Sequence, residues 1–194
     1  MPNVITLTGP SGSGKSTALG YFLKAKNRIF KPVLIPKYTT RAPRDDDSGE
    51  ALCVASIPSE CDLVYEQYGV RYGLDSQKLF DCLAAGNSPI VILNDVRTVE
   101  DVRTALGPVV RSVFVFREGP SLEKYRELSR SRNVQNEGDL SRRFNKAQAI
   151  YRIYIENIHL FDHVIINGRN RSALKTQVQR IVTGLSGVKS WPLR

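Results

Sequence analysis

Nine residues near the start of the chain, Gly9-Pro10-Ser11-Gly12-Ser13-Gly14-Lys15-Ser16-Thr17, set glycines, a lysine and hydroxyls at a spacing suited to holding phosphate groups. Gly9, four residues, then Gly14-Lys15-Ser16 is the P-loop pattern. A loop that wraps phosphates needs glycine, because Cβ atoms obstruct close backbone approach and left-handed dihedrals. Lys15 brings a point charge to the β- and γ-phosphates of a nucleotide, and Ser16 brings a hydroxyl to Mg2+. A second cluster, Lys37-Tyr38-Thr39-Thr40-Arg41-Ala42-Pro43-Arg44, puts Arg41 and Arg44 on either side of a proline that stiffens the turn. Two guanidinium forks from one short loop suit a second phosphate, apart from the one gripped by the P-loop. Tyr72, beside Gly73 in a hairpin-like segment, offers a hydroxyl to that same phosphate.

These groups need a scaffold, and the hydrophobic pattern supplies one. Val4–Thr8, Pro89–Leu93, Ser112–Phe116 and His163–Ile166 are apolar, β-branched runs whose near-continuous hydrophobicity predicts strands buried on both faces of a parallel sheet. Helical stretches alternate with them at Ser16–Ala25, Thr98–Ala105, Ser121–Ser131, Leu140–Ile158 and Ser172–Leu185, and Thr98 with Asp101 has the spacing of a capping box. The alternation predicts an α/β fold with a doubly wound parallel sheet of the P-loop NTPase type. The P-loop then joins a strand to a helix, so the helix N-terminus faces the anion. The stretch from Lys37 to Gly86 breaks the pattern, with short β-like pieces, turns and a helix near Ser76–Ala85. It predicts a small acceptor-binding lobe (about 37–86) inserted into a core of about 1–36, 87–118 and 160–185, with a helical lid at about 119–145. The whole reads as one domain, closed by a loosely packed tail, Gly187 to Arg194.

Composition narrows the class. The 194 residues are 41% hydrophobic and 24% charged, ordinary for a globular protein with a real core. No apolar run approaches membrane-spanning length and no basic segment leads into an apolar one at the start, so a cytoplasmic location is expected. Cys53, Cys61 and Cys82 are odd in number and lack metal-ligand spacing, which favours reduced thiols. The net charge of +9 suits phosphorylated ligands, with arginines gathered at 41–44, 97–111, 126–143 and 169–180. No aromatic residues interleave with them as on a base-stacking surface, which argues against nucleic acid without excluding it.

Taken together, GPSGSGKST, TTRAPR, the Tyr72-Gly73 pair, PSLEKYRELSRSR and the closing VIIN resemble the guanylate kinase family, in the same order over about the first 170 residues. The resemblance implies transfer of the γ-phosphate of ATP, with Mg2+, to a nucleoside monophosphate. It implies that Arg41, Arg44 and Tyr72 hold the acceptor's phosphate, that Arg132 and Arg143 are lid arginines closing over the transferring group, and that Asn167 lies near the adenine. Phosphoryl transfer asks for positioning and charge neutralisation, which convergent arginines provide.

Where the family reads guanine, this chain departs from it. Leu63 stands at the place of a glutamate (with Asp62 adjacent), Leu74 at that of a serine after the Tyr-Gly pair, and Lys37 at that of another serine. A second phosphate-binding tyrosine is absent, with Cys53 nearest. The strand end reads Leu93-Asn94-Asp95-Val96-Arg97, which makes Asp95 a candidate for supporting Mg2+ or the acceptor, since ligands of open α/β sheets collect at strand C-termini. Leucine cannot hydrogen-bond a base, so the phosphate contacts survive while guanine reading is expected to be lost. The KYTTR spelling and Arg97 after an asparagine-containing strand end resemble the ribose 1,5-bisphosphate kinases of phosphonate metabolism, so a sugar phosphate stands beside a nucleotide as acceptor. Two other classes remain: a guanylate-kinase-like interaction module without catalysis, against which intact Lys15 and Ser16 argue, and a polynucleotide 5′-kinase, suggested by charge alone. His159 and His163 carry no attached catalytic pattern and read as packing or capping, and Asp45-Asp46-Asp47 reads as a solvated loop tip.

Overall fold

A computed structural model describes residues 2–10, 12–43, 49–67, 70–93, 95–117, 137–168 and 170–187, together with Gly69; the side chains of 137–143, 146, 147 and 150 lie outside the description. Nine strands and five α-helices are found among the described residues. They are β1 (Val4–Thr8), α1 (Lys15–Lys24), β2 (Pro32–Leu34), β3 (Lys37–Thr39), β4 (Ala51–Cys53), β5 (Leu63–Gln67), β6 (Val70–Leu74), α2 (Ser76–Ala84), β7 (Ser88–Leu93), α3 (Val96–Leu106), β8 (Val110–Phe116), α4 (Glu137–Glu156), β9 (His163–Ile166) and α5 (Arg171–Leu185).

Five strands form a parallel sheet in the order β2-β7-β1-β8-β9, with Leu7 beside Ile92 on one flank and Val113 on the other. Every residue of β1 and β7 is buried, because both faces of the sheet are covered. Alternate side chains divide the core in two. Ile5, Leu7, Ile90, Ile92, Val113 and Val115 meet α1 and α5 through Leu19, Phe22, Leu174 and Val178. Val4, Val91, Leu93 and Phe114 point the other way, onto Leu79 of α2, Val99 and Val102 of α3 and Tyr154 of α4. This is the doubly wound arrangement expected from the alternation of apolar runs and helices.

The insertion forms its own four-stranded sheet, β4-β3-β6-β5, antiparallel except where β3 pairs with β4. The hairpin expected around Tyr72 is the β5–β6 pair, with Tyr72 opposite Tyr65. Helix α2 packs Leu79 into the core beneath the large sheet, so it ties the lobe to the core.

Several boundaries differ from expectation. Strand β2 begins with Pro32 on the sheet edge, where a missing N–H costs nothing, and its three residues are too few for a periodicity. Strand β9 is the opposite edge, not a strand buried on both faces: Val164 and Ile166 are exposed. Helix α3 starts two residues before Thr98, and its cap is Asp95, whose carboxylate accepts from the Thr98 amide and hydroxyl at 3.0 Å each. Thr98 is therefore an internal first-turn residue, and the Thr98–Asp101 capping box does not form. Helix α4 begins at Glu137 rather than Leu140 and ends at Glu156, with a 3-10 turn over Ile158–Leu160. The helix expected at Ser121–Ser131, the tail from Val188 and the aspartates 45–47 lie outside the described residues. Among the described residues no helix is long and apolar enough to cross a membrane.

Candidate active site

Strand β1 ends at Thr8 in the middle of the sheet, and the chain turns at once into the glycine loop. Gly9 takes φ 152°, and a methyl group there would stand 2.5 Å from the Val115 carbonyl oxygen. Gly14, the residue before α1, takes φ 102° without a side-chain cap, and a Cβ on it would collide with the Asn167 amide. Both positions require glycine. The result is a backbone cradle that opens onto the N-terminus of a ten-residue helix whose first amides no side chain has claimed. The Ser13 hydroxyl is buried in the cradle with no partner among the described residues. A buried orphan donor, free helix amides and a lysine are what the phosphates of a nucleotide need, so the residues present fit that group.

Lys15 lies back across the loop, its Nζ donating to the carbonyls of Gly9 (2.7 Å) and Pro10 (2.9 Å). Burial lowers its pKa to about 8, against the attraction of Glu50. Ser16 is exposed, and its hydroxyl donates to Glu50 Oε1 at 3.4 Å. Thr17 is also exposed, on the same first turn. Asn167, at the end of β9, donates its Nδ2 to the Ser13 carbonyl at 2.8 Å, while its own amide donates to Phe116 O at 2.7 Å. It braces the loop from the far side of the sheet. Arg117 does the same from the end of β8, its Nη1 donating to Gly12 O at 3.1 Å.

The second cluster sits on β3 and the turn after it. Arg41 lies two residues past the end of β3, with its amide on Thr39 Oγ1 and its Nη1 on the Ala42 carbonyl. Tyr72 is 8% exposed and stacks on Tyr65, ring centres 5.1 Å apart. Lys37 is 3% exposed, and its ammonium lies 5.2 Å from the centre of the Tyr72 ring and donates to the Ile92 carbonyl at 2.7 Å. Burial pulls its pKa down to about 7, aided by repulsion from Lys15 and Arg41 and opposed by Glu50. Charges on the P-loop and on the lobe therefore sense one another across the C-terminal end of the sheet, with Glu50 acting on both lysines.

The remaining candidates divide. Leu74 is fully buried and Leu63 packs against the same core cluster. The Asp62 carboxylate accepts from the Ser76 amide and hydroxyl; burial works against its charge, but these bonds outweigh it and hold the pKa below the ordinary carboxylate range. Asp62 thus steadies the start of α2, and Asp75 caps that helix through the Gln77 amide. Asp95 serves α3 in the same way, at the ligand end of β7, and Arg97 is exposed on the first turn of α3. Ser11, Arg44, Asn94 and Arg132 lie outside the described residues, and Arg143 lies in α4 with its side chain undescribed.

Three contributors escape the sequence. Glu50 carries no motif, and only its contact with Ser16 marks it. Arg117 stands outside the arginine clusters, signalled only by following an apolar strand directly. Lys37 is visible as a departure, but its burial is not, since a lysine in a three-residue strand reads as solvated.

A parallel sheet whose central strand feeds a glycine cradle and an uncapped helix, with a cationic second lobe facing it, defines a P-loop phosphotransferase. Three guanylate kinases are similar in sequence: those of Homo sapiens (31% identity over 176 residues, 86% of this chain and 85% of that one), Sus scrofa (30%, 86% and 85%) and Dechloromonas aromatica strain RCB (28% over 181 residues, 89% and 84%). The crystal structure of guanylate kinase from Anaplasma phagocytophilum has the same fold, with a TM-score of 0.66 at 18% identity, over 97% of this chain and 88% of that one. No family model matches the chain. The chain belongs to the guanylate kinase family.

Proposed function

We propose that the chain transfers the γ-phosphate of ATP to the phosphate of a small phosphorylated acceptor. The observation that carries this reading is a phosphate cradle set near a separate cationic centre: Lys15 and the α1 N-terminus on one side, Arg41, Lys37 and Tyr72 on the other. ATP bound with Mg2+ supplies the phosphoryl group and a metal ion that neutralises charge on the β- and γ-oxygens.

The residues then have distinct work. The loop amides from Gly12 to Thr17 grip the phosphates. Lys15 exchanges its two carbonyl partners for phosphate oxygens, gaining charge-assisted bonds for neutral ones. Ser16 offers its hydroxyl to Mg2+. Asn167 keeps the loop in shape through Ser13 O. Arg41 and Arg44 hold the acceptor's phosphate and Tyr72 borders it, while Arg132 and Arg143 complete the charge over the transferring group. Asp95 positions α3 at the site's edge, beside Arg97.

As to the acceptor, the similarity to guanylate kinases supports a nucleoside monophosphate. A second reading, a phosphorylated sugar such as ribose 1,5-bisphosphate, is favoured by the side chains at the base-reading positions. Leu63 and Leu74 are apolar, Asp62 is committed to Ser76, and Lys37 is a buried cation. Sites that hydrogen-bond their substrate discriminate by about 10⁴, apolar ones by about 10 to 200. The test is steady-state kinetics with ATP and Mg2+ across GMP, AMP, CMP, UMP, dTMP, ribose 5-phosphate and ribose 1,5-bisphosphate. Turnover with at least one acceptor, and no thousandfold preference for GMP, is expected. Absence of turnover with all of them refutes the kinase reading, and a GMP preference of about a thousandfold or more refutes the loss of base reading.

A further inference from the structure

Lys37 is a buried ammonium, 3% exposed, at the ligand end of the central sheet. Its neighbours leave it unsatisfied. Three N–H bonds are available, and one is used, on Ile92 O at 2.7 Å. The Tyr72 ring covers one side at 5.2 Å. Among the described residues no carboxylate lies within ion-pair distance of its Nζ. Among the described residues, the groups that face it are Lys15 from the P-loop, Arg41 after β3, Glu50 before β4 and Tyr72 on β6, while β7 presents a carbonyl. Among the described residues, two cations and one carboxylate act on it. Burying an unpaired charge is costly, and such a site is stable in its charged form only when an anion enters.

We propose that Lys37 is the specificity-determining residue of the acceptor site: its buried ammonium pairs with a second anionic group of the acceptor, distinct from the phosphate held by Arg41. This rests on the reading of the lobe as the acceptor site. The acceptor is selected by charge, not by the hydrogen-bonding edge of a base. An acceptor with two anionic groups satisfies both Arg41 and Lys37, and one with a single phosphate leaves Lys37 unpaired. Anion binding also favours the protonated lysine, so acceptor binding takes up a proton near neutral pH.

Calorimetric titration of the full chain with ribose 5-phosphate, ribose 1,5-bisphosphate and ATP, each alone, tests this. Wild type should bind the bisphosphate about 30-fold or more tighter than the monophosphate, as expected for a charge-assisted contact. In Lys37→Met that preference should collapse to a few-fold, with ATP affinity kept as the sign of an intact fold. A wild type without preference, or a Lys37→Met variant that keeps it, overturns the proposal. Should Lys37→Met fail to bind ATP, Lys37→Arg decides. Between pH 7 and 9 phosphates are already dianionic, with a second pKa of about 6, so weakening bisphosphate binding there traces protein cations. The wild type should weaken over that range and Lys37→Arg, which stays charged, should stay flatter; equal slopes overturn the proposal. Turnover is read separately. Preferential binding without phosphoryl transfer would refute the kinase reading and leave Lys37's role standing, and turnover without the Lys37-dependent preference would do the reverse.

Discussion

Replacing Lys37 by methionine should stabilise the empty protein at neutral pH and flatten its pH dependence. Lys37 falls from 10.5 to about 7 on folding, chiefly by desolvation. At about 1.36 kcal/mol per pH unit, holding the proton in the folded state costs on the order of 4 to 5 kcal/mol. Because the folded pKa is the lower one, the unfolded chain binds more protons between pH 7 and 10.5, and stability climbs with pH through that window. With the folded group half-titrated at pH 7, the gain from pH 7 to 9 due to Lys37 is about 2 kcal/mol. Lys15, lowered to about 8 by burial, adds slope in the same direction, so the contrast between variants isolates Lys37. Methionine has similar length and flexibility and no charge. It loses the bond to Ile92 O, a loss of about 1 kcal/mol set against a cost of about 4 kcal/mol removed at pH 7, so the net gain there is about 3 kcal/mol. Urea unfolding of wild type and Lys37→Met at pH 7 and 9 measures both quantities. Parallel pH profiles, or a variant less stable than wild type at pH 7, would show that the ammonium is not desolvated and remove the electrostatic premise.

Two further outcomes follow from the separation of the phosphate sites. Lys15→Ala should abolish phosphoryl transfer while circular dichroism stays native, because among the described residues Nζ bonds to two loop carbonyls, those of Gly9 and Pro10; near-normal turnover would contradict the role given to the loop. Arg41→Ala should weaken acceptor binding by about 2 kcal/mol and leave ATP binding within a few-fold; equal losses in both, measured by titration, would show that the lobe and the P-loop do not divide the ligands.

What could be read from the sequence was what depends on local pattern. The buried runs at β1, β7 and β8 are largely apolar because both faces of the sheet are covered, and the P-loop is a contiguous motif whose glycines are required by its own backbone. Element ends were harder to read. Asp95 competes with Thr98 for the start of α3, and the three-dimensional cap decides between them. The proposed acceptor side was only half legible. Arg41 and Tyr72 belong to short recognisable segments, but the environment of Lys37 is set by a carbonyl 55 residues away and a ring on another strand. Glu50 and Arg117 matter only through contacts with Ser16 and Gly12, across 34 and 105 residues. No local pattern encodes such contacts.

The brace between Asn167 and Ser13 spans 154 residues, and it sets a clock on biosynthesis. The glycine loop is made well before the groups that shape it, the end of β9 and, at Gly9, Val115 of β8. At about 5 to 20 residues per second, the loop waits about 10 to 30 s for Asn167 to be synthesised. Until β7 and β8 are made, β1 also lacks both of its neighbours in the sheet. Nucleotide is therefore expected to be a poor template for folding before that point. Its stabilisation by mass action is expected only once β9 is in place, which makes ligand capture follow the assembly of the sheet rather than precede it.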